Sequence, residues 1–140
     1  MTEIGQALAS IAIALFALTW LGNWALRLLF RVFGLSPPDA PADGASTPPP
    51  AGRIIGIFER LVIAAGLITG RWEVLAAVIA LKSVARFKEL ESKDFAEYFL
   101  IGSLFSILWG VLVTAAWLSY DQAQGLGLRD AIRALYAAAP

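Results

Sequence analysis

The sequence predicts an all-α integral membrane protein, a four-helix transmembrane bundle followed by a short C-terminal amphipathic helix. Two observations support this fold class. Hydrophobic residues make up 59% of the 140 residues and charged residues only 16%, whereas soluble domains have roughly 45–50% and about 25%. The apolar residues also concentrate in long runs, and a soluble core of this size could not bury that much apolar surface.

Composition also removes several classes of function. Cysteine and histidine are both absent, so we expect no disulfide framework, thiol nucleophile, imidazole base or standard zinc site. The 11 basic and 11 acidic residues balance to a formal charge of zero, which gives no overall attraction to nucleic acid. We therefore expect no cofactor, no metal ion and no nucleic-acid partner.

The first predicted transmembrane helix covers residues 1–34. Its apolar run, residues 7–30, exceeds the about 20 residues that cross a hydrocarbon core. A signal peptide would need basic residues before the run, but the charged residue there is Glu3, and Arg27 and Arg31 come at the far end. Trp20 and Trp24 near that end are typical of an interfacial anchor. The pattern favours an uncleaved transmembrane helix.

A proline-rich segment, residues 35–52, separates this helix from the rest of the chain. Six prolines and many small residues occur in it, a composition typical of a solvated linker with partly polyproline II structure. A proline-rich ligand for a binding domain is the alternative reading of the same residues.

The three-helix membrane core, residues 53–118, begins with two short spans at about residues 54–70 and 72–90. Their apolar runs are at or below the usual spanning length, so a re-entrant pair is an alternative. The helical pattern continues past Phe87 into charged residues, whose side chains can reach the interface. We therefore predict two short spans that form a tight hairpin.

The last predicted span, at about residues 97–118, carries a stripe of small residues. The stripe repeats every four residues and consists of Gly102, Ser106, Gly110 and Thr114. Small residues at this spacing let a second helix approach closely. The pattern predicts a packing face, which could serve either another helix of this chain or another subunit.

An interfacial amphipathic tail is predicted for residues 119–140. One side of the expected helix is apolar and consists of Leu128, Ile132, Leu135 and Tyr136. The opposite side is charged and consists of Arg129, Asp130 and Arg133. Such a helix lies at the membrane interface or packs on the bundle.

The basic residues near the span ends predict the orientation. Six of them lie on one side, namely Arg27, Arg31, Arg53, Arg86, Lys88 and Lys93. Three lie on the other, namely Arg71, Arg129 and Arg133. Because basic residues favour the inner side, we expect both termini outside and the linker in the cytoplasm.

Depth counting predicts two ion pairs within the hairpin. Glu59 is twelve residues before Arg71 at the turn, and Lys82 is eleven residues after it. With a rise of about 1.5 Å per residue, the two side chains lie at nearly equal depth. Arg53 and Glu89 are also equally far from the turn. Charged groups in spans normally pair with one another, so we predict Glu59 with Lys82 and Arg53 with Glu89.

Helical periodicity extends this to one charged layer on the cytoplasmic side. Arg53 and Arg60 share one face of the second helix, and Lys82, Arg86, Glu89 and Lys93 share one face of the third. Glu97 opens the fourth span at the same level, and the long side chain of Arg60 is expected to reach partly toward the interface. The layer consists of Arg53, Glu59, Arg60, Lys82, Arg86, Glu89 and Glu97. It could fix helix register, line a polar pore, bind an anionic lipid or bind a partner.

Three runs of sequence resemble an uncharacterised bacterial inner-membrane family, a domain of unknown function. They follow the patterns G-R-x-I-G-x-x-E-R, K-S-x-x-R-x-x-E-L and A-E-Y-x-L-I-G-[ST]-x-x-S over about residues 52–110. The matching positions are Gly52, Arg53, Ile55, Gly56, Glu59, Arg60, Lys82, Ser83, Arg86, Glu89, Leu90, Ala96, Glu97, Tyr98, Leu100, Ile101, Gly102, Ser103 and Ser106. The family's longer, histidine-containing N-terminal membrane region is not matched. The resemblance implies a bacterial inner-membrane protein with a shared charged layer and names no reaction.

The sequence favours a non-enzymatic, self-associating membrane protein, a homo-oligomer that could enclose an ion or small-solute path. The alternative is a membrane scaffold or accessory subunit that recruits a cytoplasmic protein partner or an anionic lipid. A third hypothesis is an intramembrane enzyme that uses Glu59, Glu89 or Glu97 as acid or base. No catalytic residue is assigned, because the sequence contains no phosphate loop or nucleophile elbow.

Overall fold

The computed structural model describes residues 2–36, 50–85 and 87–139, and in this part the chain is helical. The predicted all-α class is confirmed. The helices are α1 (Glu3–Phe16), α2 (Gly22–Val32), α3 (Pro50–Thr69), α4 (Glu73–Ala85), α5 (Lys93–Gln124) and α6 (Leu128–Ala137). Short turns of other helical types occur at Ala17–Leu21 and Glu89–Glu91.

The N-terminal helix is continuous from α1 into α2 but contains a π turn at Ala17–Leu21. Thr2 begins it as an N-cap, with its hydroxyl accepting a hydrogen bond from the Gly5 N–H. In a π turn each N–H bonds five residues back instead of four, which inserts one extra residue into the helix. This turn is the local irregularity that forms the site described below.

The α3–α4 hairpin follows the part of the linker that lies outside the described residues, 37–49. The end of the predicted linker is helical, because α3 already begins at Pro50, and proline suits the first turn of a helix. Gly70 then reverses the chain with φ of 79°, a left-handed conformation that glycine adopts without steric cost. Beside the turn, Gly66 lets α4 approach so closely that a Cβ there would lie 2.7 Å from the Val74 Cβ.

The third predicted span ends earlier than its sequence pattern indicates. Helix α4 ends at Ala85, and Glu89–Glu91 forms a separate 3-10 turn before α5 begins at Lys93. The predicted common helix face of Lys82, Arg86, Glu89 and Lys93 is therefore wrong, since Lys82, Glu89 and Lys93 belong to three different elements; Arg86 lies outside the described residues. The helical spacing simply continues through the residues that reverse the chain.

The C-terminal part consists of the long helix α5 and the short helix α6. Gly125 ends α5 in the left-handed conformation, with φ of 65°. The buried Asp121 then accepts hydrogen bonds from the N–H groups of Leu128 and Arg129, both at 3.0 Å. A carboxylate in this position satisfies two of the free donors at the start of a helix, so Asp121 fixes α6 against the end of α5.

Helix α3 lies at the centre and packs against the π turn and against helices α2, α4, α5 and α6. The N-terminal helix runs antiparallel to α5, because Ser10 contacts Trp117 at one end and Phe30 contacts Tyr98 at the other. The apolar core is small and consists of Leu18, Ile63, Ala64, Leu67 and Trp117. Many large apolar side chains instead cover the outer surface, as in a protein that faces lipid.

Two helices in the described part of the chain are long and apolar enough to cross a membrane, Glu3–Val32 and Lys93–Gln124. Helix α3 has 20 residues and contains Arg53, Glu59 and Arg60. Helix α4 has 13 residues, or about 20 Å at the α-helical rise, which is shorter than a hydrocarbon core of about 30 Å.

Candidate functional site

The main polar site is built around Arg60, which lies at the middle of α3 and is only 1% exposed. Its Nε donates to the Leu18 carbonyl at 2.5 Å, and its Nη2 donates to the Thr19 carbonyl at 3.3 Å. Nη2 also donates to Asn23 Oδ1 at 2.6 Å, and Nη1 donates to Ser106 Oγ at 3.1 Å. Four of the five guanidinium N–H groups are thereby bonded, to two other helices.

The π turn supplies the carbonyl acceptors of this site. Its extra residue disturbs the regular helical hydrogen bonds and turns consecutive carbonyl oxygens toward neighbouring helices. Arg60 takes those of Leu18 and Thr19, and Trp109 Nε1 donates to the Ala17 carbonyl at 3.0 Å. Three successive backbone oxygens of the π turn are therefore satisfied by side chains from α3 and α5.

Gly22 provides the space in which the two donors reach the π turn. A Cβ at this position would lie 2.9 Å from Arg60 Nε and 3.0 Å from Trp109 Cδ1. Distances near 3.0 Å are shorter than ordinary van der Waals contact, so the guanidinium or the indole would have to move. A glycine at the end of the π turn thus permits the close approach of all three helices.

The acceptors of Arg60 are all neutral: two backbone carbonyls, an amide and a hydroxyl. Among the described residues, no carboxylate lies within ion-pair distance of this guanidinium. The guanidinium extends toward the start of α3, since a Cβ at Gly56 would lie 3.5 Å from Arg60 Nη1, and four acceptors hold it inside the protein. Its reach toward the interface stays a prediction. Dipoles rather than a counter-ion stabilise this charge.

The adjacent Glu59 points to the other side of α3 and pairs with Lys82, as depth counting predicts. Lys82 Nζ lies 2.9 Å from Glu59 Oε2 and 3.2 Å from Oε1. The Glu59 side chain is 5% exposed and that of Lys82 is 23% exposed. The ammonium also lies 5.4 Å from the centre of the Phe99 ring, within the range of a cation–π contact. This pair ties α3 to α4 beside α5.

The other described members of the predicted charged layer, Arg53 and Glu97, do not join these two sites. Arg53 is exposed near the start of α3. Glu97 is 63% exposed and lies 3.9 Å from Lys93 on the next turn of α5. Arg86 and the side chain of Glu89 lie outside the described residues, and so does the predicted pair of Arg53 with Glu89. The layer therefore divides into a buried guanidinium site, a partly buried ion pair and exposed charges.

The small-residue stripe of α5 packs against helices of the same chain. A Cβ at Gly102 would lie 3.0 Å from the Phe30 ring, and a Cβ at Gly110 would lie 3.5 Å from Arg60 Cγ. Ser106 accepts from Arg60, and the hydroxyl of the buried Thr114 donates to the Gly110 carbonyl. The sequence left open whether this face packs against another helix of the chain or against another subunit. In the structure it packs against helices of the same chain.

Several residues of the site carry no strong signal in the sequence. Asn23 is a polar residue inside an apolar run, which could have marked it as a partner for an intramembrane charge. Trp109 lies in an uncharged stretch, and the sequence does not show that its indole N–H has a π turn to bond. Ser103 Oγ is buried without a hydrogen-bond partner in the described part of the chain.

The arrangement connects helices and leaves Arg60 little room for a ligand. The apolar cavity nearest to it is lined by Leu18, Leu61 and Thr114 among others, and Arg60 does not belong to the lining. No group of three or more acidic side chains that could bind a metal ion occurs in the described ranges. Chemically, the site supplies hydrogen-bond donors to the free carbonyl oxygens of the π turn and fixes the register of three helices.

No protein-family profile, curated protein or solved structure matches this chain. The resemblance to the uncharacterised inner-membrane family stays a prediction.

Proposed function

We propose that the chain is a non-enzymatic, multi-pass protein of a bacterial inner membrane and that it acts as a self-associating helical unit. In this proposal α1–α2, α3, α4 and α5 all lie in the bilayer as a four-helix bundle, with both termini outside. The alternating chain directions of these helices support it, as does the apolar outer surface.

The buried Arg60 is the observation on which the proposal depends. A buried guanidinium with four of its five N–H groups bonded, in the centre of a helix bundle, is the arrangement expected when a charge must be shielded from lipid. Because its four acceptors come from the π turn, α2 and α5, Arg60 makes these helices one rigid unit. A catalytic group would need contact with a substrate, and these donors are already occupied.

Helix α4 is the surface that we assign to self-association, with a second copy of the chain as its occupant. Its residues are apolar apart from Glu73, Lys82 and Ser83, none of them is buried, and it packs on α3. Its exposed side chains include Ile79, Leu81 and Val84. A helix shorter than the hydrocarbon thickness is accommodated by thinning the bilayer or by association with other helices, which favours a helix–helix contact here.

Cysteine cross-linking in lipid tests this interface cleanly, because the chain has no native cysteine. Ile79→Cys, Leu81→Cys and Val84→Cys are each oxidised in proteoliposomes, with Leu8→Cys on α1 as an equally exposed control. We expect disulfide dimers from at least one α4 position and few from Leu8→Cys. Equal cross-linking at all positions, or a monomer in native mass spectrometry from lipid, would contradict the proposal.

The ion or small-solute path belongs to the oligomer in this proposal, since a bundle of only four helices encloses little space on its own. Flux of ions from liposomes that contain the cross-linked dimer tests it. Flux equal to that of protein-free liposomes would contradict the path but not the self-association.

The alternative function, a scaffold that recruits a cytoplasmic protein partner or an anionic lipid, is favoured by the exposed charges between α4 and α5. The connection presents Lys88 and Glu91 to solvent, and the first turns of α5 present Lys93, Asp94 and Glu97. Co-purification of a stoichiometric protein that is lost when these five residues become alanine would support the scaffold over self-association. The enzyme hypothesis receives less support, because Glu59 is engaged by Lys82.

A further inference from the structure

An elongated apolar cavity of about 390 Å³ lies between α1, α3, α5 and α6. Along α3 it extends from Leu61 to Thr69, a distance of about 12 Å at the helical rise. Trp117 of α5 and Tyr136 of α6 line its other sides. The amphipathic helix α6 therefore covers one end of the cavity, at the end of the bundle opposite to the Glu59–Lys82 pair.

The hydroxyl donors of the two threonines that line the cavity are both used within their own helices. The Thr69 hydroxyl donates to the Ala65 carbonyl at 2.8 Å, and the Thr114 hydroxyl donates to the Gly110 carbonyl at 2.7 Å. The rest of the lining is apolar apart from the Tyr136 hydroxyl. A narrow apolar space without free polar partners suits a hydrocarbon chain, because burying a polar segment there would leave it without hydrogen bonds.

Two arginines stand at the end of the cavity that α6 covers. Arg133 Nη2 donates to the carbonyl of Thr69, a lining residue, at 3.4 Å. The Arg71 guanidinium lies 5.6 Å from the ring centre of Tyr136, another lining residue. Glu73 approaches Arg71 to only 3.9 Å and both side chains are more than half exposed, so solvent weakens that pair. The mouth of the cavity is therefore cationic.

We propose that this cavity binds one anionic phospholipid, with an acyl chain along α3 and the phosphate between Arg71 and Arg133. The inference depends on the membrane location given under the proposed function. An apolar channel and a cationic mouth match the two chemical parts of such a lipid, and arginine pairs well with phosphate oxygens. In the proposed orientation the lipid belongs to the outer leaflet, away from the charged connection between α4 and α5.

Native mass spectrometry of the protein released from nanodiscs tests the proposal. The nanodiscs contain phosphatidylglycerol and phosphatidylcholine with identical acyl chains in equal amounts. We expect one retained lipid per chain, with phosphatidylglycerol strongly enriched over the bulk ratio. A juxtamembrane arginine contributes about fivefold to anionic lipid binding, so Arg71→Gln and Arg133→Gln should each lower the enrichment by about that factor. Arg31→Gln at the opposite end of the bundle is the control.

A second pair of variants tests the acyl chain independently of the arginines. Ala14 lines the cavity, so Ala14→Phe should obstruct the path of the acyl chain and lower retention of either lipid. Ala12→Phe changes an exposed position of the same helix and should retain the lipid.

Retention at the bulk lipid ratio, or equal retention in Ala14→Phe and Ala12→Phe, would overturn the proposal. The same spectra report self-association through the mass of the protein and lipid binding through the mass of the adduct. A monomer that retains phosphatidylglycerol would contradict the oligomer alone, and a dimer without bound lipid would contradict the lipid site alone.

Discussion

The strongest prediction concerns Arg60→Met, which keeps an unbranched apolar side chain but is shorter than arginine and removes every donor. Two of the lost hydrogen bonds are short, to the Leu18 carbonyl and to Asn23 Oδ1. A buried acceptor left without a partner costs about 1–3 kcal/mol, so losing these two should lower the free energy of unfolding by about 2–6 kcal/mol. Interhelical hydrogen bonds in membranes tend toward the small end of such ranges, which places the expected loss near 2–3 kcal/mol.

Reversible unfolding in mixed micelles, followed by tryptophan fluorescence, measures this loss. Arg53→Met is the matched control, because Arg53 is an exposed arginine on the same helix and its replacement should change stability by less than about 0.5 kcal/mol. A double-mutant cycle with Asn23→Leu isolates the amide contact. If Arg60→Met is as stable as Arg53→Met, or if the cycle is additive within about 0.5 kcal/mol, the buried guanidinium does not hold the helices together.

Three further predictions use the same unfolding assay. Gly22→Ala should destabilise by about 1–3 kcal/mol, because the new methyl group would press on the side chains that bond the π turn, whereas Gly52→Ala has open space. Lys82→Met should cost about 3 kcal/mol by leaving the buried Glu59 carboxylate unpaired, and adding Glu59→Leu should recover much of it. Asp121→Ala should cost about 0.5–2 kcal/mol through loss of the α6 cap and should expose α6 to proteolysis.

Each of these has a result that would refute its reasoning. Equal stability of Gly22→Ala and Gly52→Ala would show that the side chains around Gly22 move away from the new methyl group without loss of stability. A double variant of Glu59 and Lys82 no better than either single variant would mean that the pair does not act as a pair. For the α6 cap, Asp130→Ala changes an exposed aspartate of α6 itself, so equal protease sensitivity of the two aspartate variants would contradict the capping role of Asp121.

Depth counting succeeded for Glu59 and Lys82 because only local geometry was needed. Two helices joined by a tight turn run antiparallel, and the helical rise alone then decides which residues lie level. The same reasoning could not predict that α4 ends at Ala85. Helical spacing in a sequence continues across a chain reversal, so it predicts which residues share a face only while the helix lasts.

The site of Arg60 could not be predicted for a different reason. Two of its acceptors are backbone carbonyls of the π turn, and every residue type has a carbonyl, so no sequence pattern marks them. Periodicity placed Arg60 and Arg53 on the same face of α3, which is correct. Periodicity does not say which helix packs against each end of that face. The neighbour is the N-terminal helix, and that contact is set by tertiary packing.

The stripe of small residues in α5 illustrates a limit of motif reasoning. Its spacing indicates close helix packing, and Gly102 and Gly110 do lie against Phe30 and Arg60. The motif specifies the geometry of approach and is silent about the identity of the approaching helix. The choice between an internal helix and another subunit therefore depended on the fold as a whole.

In the proposed arrangement, in which α3 lies in the bilayer, the position of the Arg60 acceptors has a consequence for the biosynthesis of the protein. An arginine at the centre of a helix opposes its insertion by about 2.5–3.5 kcal/mol. Three of the four acceptors precede Arg60 in the chain by 37 to 42 residues, so the ribosome has released them into the translocation channel before α3 emerges. The earlier helix can receive the charge as it leaves the channel, whereas a chain synthesised without α1 and α2 should fail to insert α3.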